Sequence, residues 1–175
     1  MIITRTLHLI PMRRNHLEAL ARGKDALGAL LGVTVPAGWP TFPEAYALPE
    51  GDPTPEVAED PEWQGYFFIH PIERVLVGSG GFKGPPDASG AVEIGYEIAP
   101  EYWNRGLATE AARGMVEFAF AHEAVRAVIA HTLAEMNAST AVLRKVGMTF
   151  AGQVDDPEFG AIWRWEIPRD AYRPA

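Results

Sequence analysis

The stretch Glu93 to Ala112, EIGYEIAPEYWNRGLATEAA, constrains the fold more than any other part of the chain. It runs from an alternating strand through a short break and a small-residue loop into the start of a helix. The loop Asn104-Arg105-Gly106-Leu107-Ala108-Thr109 feeds directly into that helix. Its backbone N–H groups would therefore converge where a helix has unpaired amides and the positive end of its dipole, a place that suits an anion, phosphate first. The loop has no Lys-Ser or Lys-Thr pair for a nucleotide-metal site and does not match a dinucleotide fingerprint. An ordinary tight turn is the plain alternative.

In the strand leading in, Ala91 to Ala99, period-two alternation puts Glu93, Gly95 and Glu97 on one face and Val92, Ile94, Tyr96 and Ile98 on the other. Two carboxylates thus point the same way.

Composition removes several kinds of chemistry. With no cysteine in 175 residues, a disulfide framework, a thiolate nucleophile and a cysteine-held metal are all excluded. The histidines His8, His16, His70, His122 and His131 show no short ligand spacing, so no metal site is expected. Lys plus Arg number 15 against 23 Asp plus Glu, a net charge of -8 that argues against nucleic acid and suits cationic or amine partners, or serves solubility alone. No apolar run approaches the ~18 residues of a membrane span, and the N-terminus lacks the pattern of a secretory signal, so a cytoplasmic protein with no membrane partner is expected. The length suits one domain, residues 1–175.

The remaining elements follow from local pattern. Ile2 to Leu9 reads as a first strand ended by Pro11, and Asn15 as the N-cap of a helix running to Leu31, which Gly23 divides. Residues 33–63 form a long insertion, with Pro36, Pro40, Pro43, Pro49, Pro53, Pro55 and Pro61 too dense for a core helix. Trp39, Phe42, Tyr46 and Trp63 give this segment something to pack with, as a strap over the core or a lid over a substrate. Strands follow at Gly65–Pro71 and Arg74–Phe82, the second with a bulge or close backbone approach at Gly78, Gly80 and Gly81. A helix is expected over Thr109–His122, a strand over Val125–Thr132, a helix over Thr140–Val146 opened by Asn137 or Ser139 and closed by Gly147, and strands at Met148–Gln153 and Ala161–Ile167. The sum is a single α/β (α+β) domain, a mixed sheet of about seven strands with about four helices.

EIGYEIAPEYWNRGLATEAA followed by NASTAVLRKVGM resembles the GNAT superfamily of acetyl-CoA-dependent N-acetyltransferases, and within it the Rim-type branch that acetylates ribosomal-protein N-termini. The resemblance covers most of the chain. It implies a GNAT-like fold with a splayed strand pair at the cofactor site, and acetyl-CoA as co-substrate. The pantetheine arm would pair with the backbone of Ile98 and Ala99. The pyrophosphate would meet the amides of Arg105, Gly106, Ala108 and Thr109, with Asn104, Leu107 and the Arg105 side chain beside them. The Asn137 amide would contact the cofactor arm, while Arg144 and Lys145 would lie near the ribose phosphate. Where the superfamily often has Gln or Arg three residues before the loop glycine, this chain has Trp103, as the Rim-type branch commonly does.

The implied reaction is direct attack of an amine, a protein N-terminus or a small molecule, on the thioester. A neutral amine is required, so a base removes a proton while amides stabilise the oxyanion. Glu93 and Glu97 are the candidate bases, because like charges on one face raise a carboxyl pKa, and Glu97 lies nearer the splay. The chain has no Tyr on the helix where many members keep their acid, which leaves Ser139 as candidate acid or as a capping serine. A non-catalytic acetyl-CoA-binding sensor or scaffold and a longer-chain acyltransferase are the alternatives. The acceptor and a homodimer are left open.

Overall fold

The structure, a computed structural model, describes residues 1–46 and 62–174. Its strands are β1 (Ile2–Ile3), β2 (His8–Pro11), β3 (Gly65–His70), β4 (Val75–Phe82), β5 (Ala91–Ile98), β6 (Ala127–Leu133), β7 (Thr149–Asp156) and β8 (Gly160–Pro168). They form one sheet in the order β1-β2-β3-β4-β5-β6-β8-β7. The only parallel neighbours among the named strands are β5 and β6, and all other pairs are antiparallel. The helices are α1 (Arg14–Arg22), α2 (Lys24–Leu31), α3 (Leu107–Ala121) and α4 (Ala138–Val146).

Two apolar layers hold the sheet. On one face Leu7, Leu9, Phe68, Val77, Val92 and Ile94 pack against Ala111, Met115 and Ala119 of α3 and Leu143 of α4. On the other, Phe67, Ile69 and Leu76 pack against Ala19 of α1, Leu27 of α2 and the fully buried Trp39. The alternation within β3, where Phe67 and Phe68 go to opposite layers, is the period-two pattern of a strand buried on both sides.

Three expectations are corrected. Ile2–Leu9 is two strands, because Thr4 to Leu7 closes a turn (Thr4 N–H to Leu7 O, 2.9 Å). Glu110 of α3 fixes that turn, its carboxylate accepting from Thr4 Oγ1 (2.7 Å), Thr6 N–H (2.6 Å) and Thr6 Oγ1 (2.8 Å). The sheet accordingly has eight strands. The first helix starts at Arg14 with Arg13 at the N-cap, where His16 accepts from the Arg13 N–H, so Asn15 lies inside the helix. Gly23 does divide it.

The insertion packs as a strap over its described part, residues 33–46, with a short 3-10 turn at Pro43–Tyr46. The prolines from Pro49 to Pro61 lie outside the described residues. In β4, a Cβ on Gly78 would stand 2.3 Å from the Glu97 carbonyl oxygen and one on Gly80 2.4 Å from that of Gly95, so the approach of β5 demands glycine at both. Among the described residues no helix is long and apolar enough to cross a membrane.

Candidate active site

The expected loop-to-helix turn forms at the N-terminus of α3. Asn104 (φ 60) and Gly106 (φ 77) are both left-handed, and no side chain caps the helix. Glu110 N–H is the first to reach a helical carbonyl, Gly106 O at 3.0 Å, so the amides of Leu107, Ala108 and Thr109 have no intrahelical acceptor. The Arg105 guanidinium is turned away: it pairs with both oxygens of Glu73 and lies 5.3 Å from the centre of the Tyr102 ring. Arg105 thus offers its backbone to the cradle, and its side chain holds the β3–β4 turn.

Beside the cradle the sheet opens. β5 and β6 pair from Ala91↔Ala127 to Glu93↔Ile129 and then diverge, leaving a narrow gap bordered by Gly95, Tyr96, His131 and Ser139. Ala99 N–H donates to Val77 O (2.9 Å), so the alternation of an antiparallel pair turns the backbone groups of Tyr96 and Ile98 toward the gap. Trp103 Nε1–H already donates to Ile98 O (2.7 Å). Of the two residues expected to pair with a cofactor arm, Ala99 therefore faces β4, and Ile98 has only its N–H to give. Tyr96, beyond the last paired residue, offers the backbone that the sequence reading missed.

Asn137 caps α4: its Oδ1 accepts from Thr140 N–H (3.1 Å) and its own N–H donates to Thr140 Oγ1 (3.0 Å). The side-chain NH₂ makes no hydrogen bond among the described residues, two positions before Ser139. Ser139 sits one residue inside the helix and lines the gap, so it is not the cap. Its carbonyl is 3.4 Å from the Tyr96 hydroxyl, whose pKa burial pushes above the ordinary tyrosine range. Arg144 stacks on Trp165 at 5.6 Å, and the Lys145 carbonyl accepts from Arg113.

The two carboxylates of β5 have different surroundings. Glu97 accepts from Tyr46 OH (2.7 Å) and Ser79 Oγ (3.3 Å) at one oxygen and from Thr41 N–H (2.8 Å) at the other. Buried Ser79 in turn accepts from Trp39 Nε1–H at 2.7 Å. Burial pushes the Tyr46 hydroxyl up in pKa, so it donates as a neutral phenol. Glu93 is bound by the Lys83 ammonium and by His131 Nδ1 at 3.0 Å. Burial raises the Glu93 carboxyl pKa, but its hydrogen bonds to Lys83 and His131 outweigh that and hold it below the usual carboxylate range. The expectation that paired like charges raise a pKa is therefore reversed at Glu93, because each carboxylate has its own donors.

A second, larger cavity of about 310 Å³ lies on the carboxylate face. Its floor is a row of glycines in register across three strands, Gly65↔Gly81 and Gly81↔Gly95, walled by Met12, Tyr46 and Phe82 with Lys83 at the edge. Gly95 borders both this cavity and the β5–β6 gap, and a Cβ built on it would meet nothing within 4 Å.

Residues 6–149 match the acetyltransferase (GNAT) domain family. The chain belongs to the GNAT family. Over 88 residues it is 36% identical to an FsC-acetyl coenzyme A-N(2)-transacetylase of Aspergillus fumigatus, covering 46% of this chain and 37% of that protein. It spans less than half the length of the sequence relatives it matches. In fold it is similar to RimL, a ribosomal alpha-N-protein acetyltransferase solved in complex with coenzyme A (TM-score 0.69, 17% identity, 97% of this chain and 98% of that one). It is also similar to a GNAT-family acetyltransferase from Bacillus anthracis (TM-score 0.65, 21% identity, 97% and 98%). In this GNAT domain α3 and its amides stand on one face of the sheet, and the glycine-floored cavity on the other, with the gap between them.

What the sequence reading missed has a common cause. His131, Tyr96 and the glycine row come together only through strand register. The signal for His131 was its place in the short apolar strand VRAVIAHT, the one titratable side chain in an otherwise apolar run after Arg126.

Proposed function

We propose that the protein is an acetyl-CoA-dependent N-acetyltransferase whose acceptor is a slender primary amine entering from the glycine-floored cavity. The chain's groups fit acetyl-CoA. The uncapped amides of Leu107 to Thr109 suit the pyrophosphate, Tyr96 and the Ile98 N–H suit the pantetheine amides, and the Asn137 NH₂ is a further donor. Bound there, acetyl-CoA supplies an acyl carbon activated as a thioester. Gly106, left-handed and without a side chain, lets the backbone approach the anion, and Ala108 beside it is small. Asn104, Arg105 and Leu107 complete the cradle by backbone position.

The observation that carries this reading is Gly95, among the described residues the one lining both spaces. Amine and thioester meet where a strand lacks a side chain. The cavity is near the lower end of the range for small-molecule sites, so it admits a small amine or the first residue of a flexible chain end, and no folded surface. The Ser139 and Tyr96 hydroxyls, at the gap, are the acids available to the leaving thiolate.

Gly95→Val tests this reading, since its backbone conformation accepts a side chain and the added atoms occupy the passage. Coenzyme A affinity by calorimetry is expected to stay within about threefold. Turnover of acetyl-CoA with benzylamine, spermidine or a short free-N-terminal peptide should fall by at least about 50-fold, because reacting atoms are held apart. Unchanged turnover in the variant would refute this route. A wild type that binds coenzyme A and acetylates nothing in a broad amine panel would mark the non-catalytic alternative.

A further inference from the structure

We propose that the proton acceptor for the amine is His131, held by Glu93 as a positioning residue, and that Glu97 serves the strap instead. Four observations lead there. First, continuing the β5–β6 register from Glu93↔Ile129 by two residues sets His131 across the gap from Gly95, where the cavity and the gap meet. Second, Glu93 is kept ionised, and an ionised carboxylate only accepts hydrogen bonds. The 3.0 Å contact therefore fixes the proton on Nδ1 and leaves the lone pair on Nε2. Third, Nε2 makes no hydrogen bond among the described residues, and the ring is only 20% exposed, so its direction is set by Glu93 rather than by water. Fourth, Glu97 already accepts at both oxygens from the strap and β4.

The charges facing His131 come from every neighbouring element. Glu93 stands on β5 and Lys83 just after β4; Arg164 is its register partner on β8; Asp156 ends β7. Arg164 is itself paired with Glu166 (3.1 Å) and Lys83 with Glu93, so among the described residues the ring's one direct polar partner is the Glu93 carboxylate. That carboxylate still accepts from Nδ1–H after Nε2 has taken a proton.

The step balances without another reagent. The neutral amine nitrogen forms a bond to the thioester carbonyl carbon while one N–H proton passes to Nε2. The carbon–sulfur bond breaks, sulfur leaves with the bonding pair, and the proton held by the ring reaches it, directly or through the Tyr96 or Ser139 hydroxyl. Amine and thioester become amide and thiol. Lys83 keeps Glu93 ionised throughout.

The inference rests on the acceptor route above, and the two fail separately: a misplaced cavity shows as unchanged turnover in Gly95→Val, a misassigned base as unchanged kcat in His131→Gln. His131→Gln is expected to lower kcat about 100-fold or more with coenzyme A affinity unchanged, and to abolish the acid limb of kcat at saturating amine. Glu93→Gln releases the Nδ1–H tautomer, so kcat is expected to fall at least about tenfold with coenzyme A affinity unchanged, and Glu93→Asp to restore part of that loss, a recovery no loss of packing alone produces. An arm independent of turnover is the ¹⁵N signature of the His131 ring in the apoprotein, expected to show the Nδ1–H tautomer in the wild type and in Glu97→Gln and to lose it in Glu93→Gln. A His131→Gln enzyme within threefold of the wild type, or a His131 tautomer indifferent to Glu93, overturns the proposal.

Discussion

Glu93 and Glu97 lie four residues apart on one strand and one face, yet they do different work. Glu97 is surrounded by neutral donors from elsewhere in the chain, the Thr41 amide and the Tyr46 and Ser79 hydroxyls. Glu93 is surrounded by a cation and an imidazole. A carboxylate among neutral donors fastens a loop; one beside an imidazole sets that ring's tautomer and charge. Strand periodicity makes the two residues equivalent, and the segments that pack on them make them distinct.

The Glu97 end can be broken from beneath. Trp39 is fully buried between Phe67 and Tyr46 and donates to Ser79. Trp39→Ala should cost about 3–5 kcal/mol of stability in urea unfolding, the range for losing a buried aromatic. It should also raise the acceptor KM, because Tyr46 walls the cavity. The same substitution should leave the Glu93–His131 contact and the ring's tautomer unmoved, which separates the two ends of β5.

A smaller effect is expected away from both. Glu110→Gln removes an anion that takes three hydrogen bonds from the Thr4–Thr6 turn, and should cost about 1 kcal/mol given its partial exposure. Burial raises the pKa of this carboxyl, but the Thr4 and Thr6 donors bring it below the ordinary value. A depressed folded pKa stabilises above the unfolded pKa, and that contribution is lost as pH falls through the folded value. The variant's stability should therefore fall less steeply than the wild type's on acidification below about pH 4.5. Equal slopes would show that the turn is held by its backbone alone.

Legibility in the sequence follows the range of the interactions. Strand β5, the cradle at Gly106 and the two last helices depend on residues close in the chain, and EIGYEIAPEYWNRGLATEAA displays them as alternation, a left-handed glycine and a helical run. The break between β1 and β2 depends on Glu110, more than a hundred positions away, and alternation alone hides it. Asn137 and Ser139 compete for one cap in the sequence; Thr140 decides for Asn137 by bonding back to it. Tyr96 and His131 became visible as a site only when β5 and β6 were seen to part after Glu93. The glycine row needed two strand registers at once.

The contrast between the two carboxylates is tested most directly by kcat at saturating amine against pH for Glu97→Gln. The amide retains the shape and can still accept from Thr41, so the strap loosens rather than detaches. Expected are a raised acceptor KM, kcat within about tenfold of the wild type, and an acid limb in the same place. Loss of the acid limb in Glu97→Gln, with the limb retained in His131→Gln, would contradict it and return the base to Glu97.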